Sequence, residues 1–261
     1  MAYEAYESIS VDVADGVATI KFHRPDKLNA LSTTVMHDVN RAFDEIQLDR
    51  SIDVVVIEGE GDEAFSAGAD IQEYAGPAED HDPRQKDRQD LFYDIYRQPY
   101  DCHATTIAKI DGWAVGGGLI LALFCDMRVA TEDSSFGVPT CNIGQIPTGG
   151  SNYRAIQLVG EAKAKELILT AGFIDADEAH RIGLVNRVAE DADALDDEVQ
   201  SIVDAIQDTG RQAVKNSKRA LNQAANAESL EEAREFEREL WWEQFATDER
   251  RRLVDEFNED E

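Results

Sequence analysis

Apolar and polar residues alternate from Ile9 to Val13 and again from Val17 to Phe22, with Asp15-Gly16 between the runs. A period of two marks half-buried strands, and Asp-Gly accepts the positive φ of a tight turn, so the pattern predicts a β-hairpin. Pro25 ends the second strand. After Ser32 the spacing changes: Val35, Met36, Val39, Phe43 and Ile46 recur at three and four residues. That period predicts a helix with Ser32 as its N-cap. "DVVVIEGE" is nearly all apolar over its first half and predicts a strand covered on both faces.

The remaining pattern alternates in the same way. "AFSAGADI" reads as a loop of small residues, and "PAEDHDPRQKDRQD" as a polar, proline-marked mobile segment. "DLFYDIYRQ" returns to helical spacing. "HATTIAKIDGWAVGGG" predicts strand, turn and glycine loop; "LILALFC" a buried helix; "MRVAT" a strand. "AIQLVGEAKAKELILTA" predicts one helix with Ile156, Val159, Leu167 and Ile168 inward, followed by the short strand "GLVNRV". From about Asp191 the chain is helical and polar without any strand signal. No fixed-period repeat stands out. The pattern predicts an α/β core over residues 1–200 and a helical region over 201–261.

Composition narrows the class. The 261 residues are 43% hydrophobic, enough for a large core. No stretch reaches the ~18–20 apolar residues of a membrane span. The start "MAYEAYESIS" has no basic segment leading into an apolar one, so a cytoplasmic location is expected. Cys102, Cys125 and Cys141 form no C-x-x-C pair, which argues against a disulfide framework or a zinc site.

Charge changes the picture most. Fifty-four acidic residues face 25 basic ones, a net charge of −29, and only eight of the basic residues are lysines. Such a field repels nucleic acid and anionic membranes. The acids are dispersed in short runs such as "AEDADALDDEV". Dispersed acid with scarce lysine predicts adaptation to high salt, where screening within a few ångströms removes self-repulsion.

"WAVGGGLILALFCD" poses the chemical question, because three glycines precede an apolar helix. Glycine costs about 0.5–1 kcal/mol relative to alanine in regular structure, so a bare backbone implies close approach. A glycine run opening a helix also leaves free N–H groups at the positive end of the helix dipole, suited to an anion or oxyanion. A phosphate loop would place Lys-Ser/Thr after the glycines; here Leu119-Ile120 follow.

Taken with "AFSAGADI", the segment "DGWAVGGG" resembles the crotonase superfamily, the enoyl-CoA hydratase/isomerase family. "RPDKLNALS", "FGVPTCNIGQIPTGG", "LVGEAKAKELILTA" and "DADEAHRIGLVNRV" extend the likeness, in order, over nearly the whole chain. The resemblance implies a spiral of ββα units with a C-terminal helical region that assembles homotrimers or dimers of trimers. It implies an acyl-CoA thioester as substrate, no separate cofactor and no metal. Its oxyanion hole falls on the backbone amides of Ala69 and Gly117. Its coenzyme A pocket falls on Lys27, Ala30, Ser66, Ala67 and Asp70.

One part of the family pattern is missing. Hydratases of this kind use two glutamates, whose positions here are Ile120, in "GGGLI", and Thr140, in "FGVPT"; a third acid position of other branches is Thr148. Isoleucine cannot carry a proton and threonine is too weak an acid. Three readings follow. One is an acyl-CoA enzyme of fatty-acid or organic-acid breakdown with its proton carrier elsewhere, among Glu73, Tyr74, His81, Tyr93, Asp94, Tyr96, His103 or Cys141. The second is a decarboxylase or thioester hydrolase of the same fold. The third is a non-catalytic CoA-binding or assembly subunit. Ser151 lacks a nucleophile elbow and is expected to cap a helix.

Overall fold

The computed structural model describes residues 5–74 and 83–259. It opens with the expected hairpin, β1 (Ile9–Ala14) antiparallel to β2 (Val17–Phe22). Asp15 (φ 48°) and Gly16 (φ 79°) both take the left-handed conformation that a two-residue hairpin turn demands. Ser32 caps α1 (Thr33–Leu48) by accepting from the Val35 amide at 3.3 Å.

From there the chain winds in units of two strands and a helix. β3 (Val54–Gly59) and β4 (Ala64–Ser66) lead to α2 (Pro83–Asp101). β5 (Thr105–Ile110) and β6 (Trp113–Val115) lead to α3 (Gly117–Phe124). β7 (Met127–Thr131) and β8 (Ser135–Gly137) lead to α4 (Ser151–Val159). The first strand of each unit joins a six-stranded sheet and the second joins a four-stranded one. With α5 (Glu161–Leu169), β9 (Phe173–Asp175), α6 (Ala176–Arg181) and β10 (Arg187–Ala189), the strand orders are β1-β2-β3-β5-β7-β10 and β4-β6-β8-β9. This is the spiral of ββα units that the resemblance implies. The helices α7 (Ala192–Gln207), α8 (Arg211–Ala224), α9 (Leu230–Phe245) and α10 (Asp248–Glu259) complete the chain.

The apolar run of β3 is covered twice, as its composition implies. Val55 and Ile57 face the main core with Val35, Val39 and Phe43 of α1. Val54 and Val56 face the other way, against Leu195, Val199 and Ile202 of α7. Helix α7 therefore passes through residue 200, the expected seam, without a break. A buried ammonium draws α8 inward: Lys218 donates to the carbonyls of Pro99 and Ala104 and pairs with Asp126 at 2.7 Å. No helix among the described residues is long and apolar enough to cross a membrane.

The structure corrects several local expectations. Residues 75–82 of the polar segment lie outside the described residues, but from Pro83 onward that segment is helix. Its Arg, Gln and Lys are good helix formers, and Phe92, Ile95 and Tyr96 anchor one face in the core. The single helix expected over residues 155–171 is two, broken at Gly160 (φ 79°). "GLVNRV" contributes only its last residues to β10, because the amides of Gly183, Leu184 and Val185 close the end of α6. Ser151 is the first residue of α4 rather than its cap. Left-handed Gly150 takes the cap position, and the Ser151 hydroxyl is buried without a partner among the described residues.

Helix α3 is held from behind by two cations. Arg128, 2% exposed, donates to the carbonyls of Ala122 (3.1 Å), Cys125 (2.8 Å) and Leu184 (2.6 Å). Arg154 donates to the carbonyl of Leu123 at 2.9 Å. Burial lowers the Arg128 pKa to about 10, still protonated at neutral pH. Positive charge at a helix C-terminus is where the dipole favours it. Replacing Arg128 with Met removes the guanidinium donor from three carbonyls, of which Ala122 O keeps only the Cys125 amide, and charge-assisted bonds contribute about 1.5–3 kcal/mol each. Urea unfolding should show Arg128→Met destabilised by at least about 3 kcal/mol.

Candidate active site

Strands β4 and β6 run parallel and adjacent, so the loops that leave their ends lie side by side. The first is Ala67–Asp70 and the second is Gly116–Gly118. Their separation is set by glycines that leave no room for a side chain. A methyl on Gly68 (φ 87°) would lie 2.6 Å from the Val115 carbonyl oxygen and 2.7 Å from the Gly117 nitrogen. A methyl on Gly118 would collide with the carbonyl oxygen and Cβ of Ser66. Real Cβ atoms do not approach so closely, which is why the backbone is bare here.

In this arrangement two amides stay open. The Leu31 amide donates to Gly68 O at 2.7 Å and the Asp70 amide to Leu31 O at 3.2 Å, while the Ala69 N–H between them has no acceptor among the described residues. Gly117 opens α3 after left-handed Gly116 (φ 51°), and its N–H likewise has no acceptor among them. That is the position at which a helix cannot satisfy its own donors. The Ala69 nitrogen lies 3.4 Å from the point where a Gly117 methyl would stand. Two free donors from separate loops thus border one small space.

The five residues expected to line the coenzyme A pocket lie on the turn before α1, at the end of β4 and on the first loop. Ala30 is buried, and its carbonyl accepts from Arg24 at 2.7 Å. Ser66 is fully buried, donating to Asn29 O and accepting from the Gly68 amide, so its hydroxyl fixes the loop. The Ala67 amide donates to Leu28 O at 2.8 Å. Lys27 is exposed on the short 3-10 turn Pro25–Lys27. Asp70 pairs with Arg24 at 2.9 Å, and its carbonyl accepts from Arg88. Burial alone would raise the Asp70 carboxyl, but the Arg24 and Gln72 hydrogen bonds outweigh it and hold it below the usual carboxylate value.

Ile120 lies in the core on α3, and Thr140 and Thr148 are half-buried in the segment between β8 and α4. None of the three positions carries an acid. Of the eight possible proton carriers, His81 and the Tyr74 side chain lie outside the described residues. Glu73 is taken by Arg88 (2.8 Å) and Thr33 (2.7 Å). His103 bonds Gln47 and Ile52 O, and burial followed by the charge of Lys215 lowers its pKa to about 4. Tyr93, Asp94 and Cys141 are exposed. The Tyr96 Oη stands 2.8 Å from the Gly117 methyl position, the point that the Ala69 nitrogen approaches to 3.4 Å.

The comparisons with known proteins follow this geometry. Residues 12–261 match the family model described as enoyl-CoA hydratase/isomerase. The chain belongs to that family. A Mycobacterium tuberculosis protein named a probable enoyl-CoA hydratase is 37% identical over 243 residues, covering 93% of this chain and 91% of its own. A crotonyl-CoA hydratase of Syntrophomonas wolfei is 33% identical, covering 98% and 96%. The crystal structure of an enoyl-CoA hydratase from Bacillus anthracis superposes with a TM-score of 0.92 at 30% identity, over 97% of both chains.

Three site-forming residues escaped the sequence reading: Gly68, Arg24 and Arg88. Gly68 had a signal, as the sole glycine of "AFSAGADI"; the arginines had none, since their partners are distant in the chain. Asp70→Asn removes the Arg24 ion pair. A depressed carboxyl stabilises the fold above the unfolded pKa of about 3.9 and loses that contribution as pH falls through its folded value. The variant should therefore unfold about 1–3 kcal/mol more easily at pH 7, with the gap closing at acid pH in parallel urea titrations.

Proposed function

We propose that this chain acts on acyl-CoA thioesters, holding the thioester oxygen of an enolate or tetrahedral intermediate between the amides of Ala69 and Gly117. The convergence of those two open donors is the observation that carries the reading, and family membership supports it. Developing negative charge on oxygen is best stabilised by dipoles already aimed at it, in a site that need not reorganise. Main-chain donors at a helix start meet that requirement, reinforced by the helix dipole. Lys27 supplies positive charge to the polyanionic ligand, which a chain of net charge −29 otherwise repels. The backbone around Ala30, Ser66, Ala67 and Asp70 shapes the ligand's course.

The proposed reaction type is that of the enoyl-CoA hydratases and isomerases, in cytoplasmic fatty-acid or organic-acid breakdown. A second reading, loss of CO2 or hydrolysis of the thioester, is favoured by one observation: Ile120 and Thr140 replace the paired acids that add water. Trp241, Trp242 and Phe245 form an exposed stacked cluster on α9, with Leu221 exposed on α8. Such a surface supports assembly into trimers or dimers of trimers.

Gly117→Pro deletes one donor at a helix start, and its ring also presses on Tyr96 Oη, which lies 2.8 Å from the added Cβ. Its kcat on the best of the crotonyl-, 3-enoyl-, dienoyl- and malonyl-type thioesters should fall about 100-fold or more, the usual cost of one oxyanion donor. Unchanged turnover in the folded variant refutes the reading, and tight thioester binding without any turnover by the wild type favours a non-catalytic role.

The salt adaptation is part of the same proposal. Asp193, Asp196 and Asp197 on α7 and Glu235, Glu237 and Glu239 on α9 all face solvent. Their mutual repulsion is screened only when the Debye length falls to a few ångströms, near 1 M salt. The melting temperature should rise by several degrees between about 0.1 M and about 1 M KCl, as followed by circular dichroism.

A further inference from the structure

We infer that the Tyr96 hydroxyl is the proton carrier of this site, delivering a proton to Cα of the enolate held by Ala69 and Gly117. The inference rests on the enolate reading above. Two observations support it. The first is position: one point, where a Gly117 methyl would stand, lies 2.8 Å from Tyr96 Oη, 3.4 Å from the Ala69 nitrogen and 3.5 Å from Leu31 Cδ1. The hydroxyl, one oxyanion donor and an apolar wall thus surround the same space.

The second is fixation. Tyr96 is 3% exposed, its ring stacked on Phe124 at 6.2 Å and 5° and tilted against Phe92 at 5.7 Å. Gly149 (φ 70°) presses on the ring, where a methyl would collide with Cδ2 and lie 2.9 Å from Cε2. The ring therefore forms the wall beside Thr148, the third position vacated by an acid. A phenol clamped in this way is preorganised, as a catalytic group must be.

The step balances within the site. The enolate carbon–carbon double bond supplies the electron pair for a new C–H bond at Cα, the phenolic O–H bond breaks, and the enolate oxygen returns to a carbonyl. The resulting phenolate regains its proton from water. A protonated phenol can give a proton and cannot take one. The site therefore suits thioesters whose enolate arises by addition at Cβ or by loss of CO2 from Cα. Thioesters that must first lose a Cα proton need the phenolate and are served only as pH rises.

The reverse step provides the test, because it needs the phenolate. Exchange of the Cα protons of butyryl-CoA in D2O, followed by NMR, should rise with pH for the wild type as the phenolate forms, where a carboxylate base would give a flat profile above about pH 6. Tyr96→Phe should lower exchange about 100-fold or more while butyryl-CoA Kd stays within about threefold. Placing 3-fluorotyrosine at position 96, which keeps ring and hydroxyl, should move the profile to lower pH. Exchange undiminished in Tyr96→Phe, or a profile unmoved by fluorination, overturns the role of Tyr96 and leaves the enolate reading intact. Absence of exchange by the wild type at every pH overturns the enolate reading itself, and the Tyr96 role with it.

Discussion

Two peptide N–H groups, one at Ala69 and one at Gly117, are held close together and kept from every protein acceptor among the described residues. Both residues are half-buried, and an amide that is shut off from water without a partner forgoes about 1–3 kcal/mol. A fold that keeps two of them side by side has to hold them by force from elsewhere. Here the force is steric and electrostatic. Gly68 and Gly118 let the loops touch, and Ser66 ties its own loop to Asn29. Arg128 and Arg154 neutralise the far end of α3, so that its near end can remain open.

The arginines give this scheme an unusual balance. In a chain with 54 acids, the cations nearest the site are not scattered to match them. Arg24 and Arg88 hold the first loop through Asp70 and Glu73, and Arg128 donates to three main-chain carbonyls and to the Asn186 side chain. Lys218 performs the corresponding task at the join between the helical C-terminal part and the core. Guanidinium suits these places because its donors diverge in a fixed plane and reach several carbonyls at once. The surface acids, by contrast, take no part in holding the site.

Much of the architecture was legible because its determinants are local. Asp15-Gly16 announces a hairpin wherever it stands, Ser32 followed by a three-and-four spacing announces a capped helix, and the uniformly apolar β3 announces cover on both faces. Errors arose where tertiary contacts decided. Residues 83–90 are polar enough to read as loop, yet the apolar face that follows them pins the whole segment as α2. Ser151 has the composition of a cap but yields to Gly150, whose left-handed backbone turns the chain earlier. The emptied acid positions at Ile120, Thr140 and Thr148 could be read directly. Which of eight distant groups stands near the amides could not, because that depends on how α2 lies against α3.

Because both donors belong to the main chain, they are inherited through shape and not through any particular side chain. Substitution at position 69 exchanges the side chain and leaves its N–H in place; only proline, or a residue too large for the glycine contacts, would erase the pair. The acids around such a pocket can therefore be lost or replaced one at a time while the grip on a thioester persists. A scaffold of this kind permits its lineage to change reaction without first surrendering its ligand.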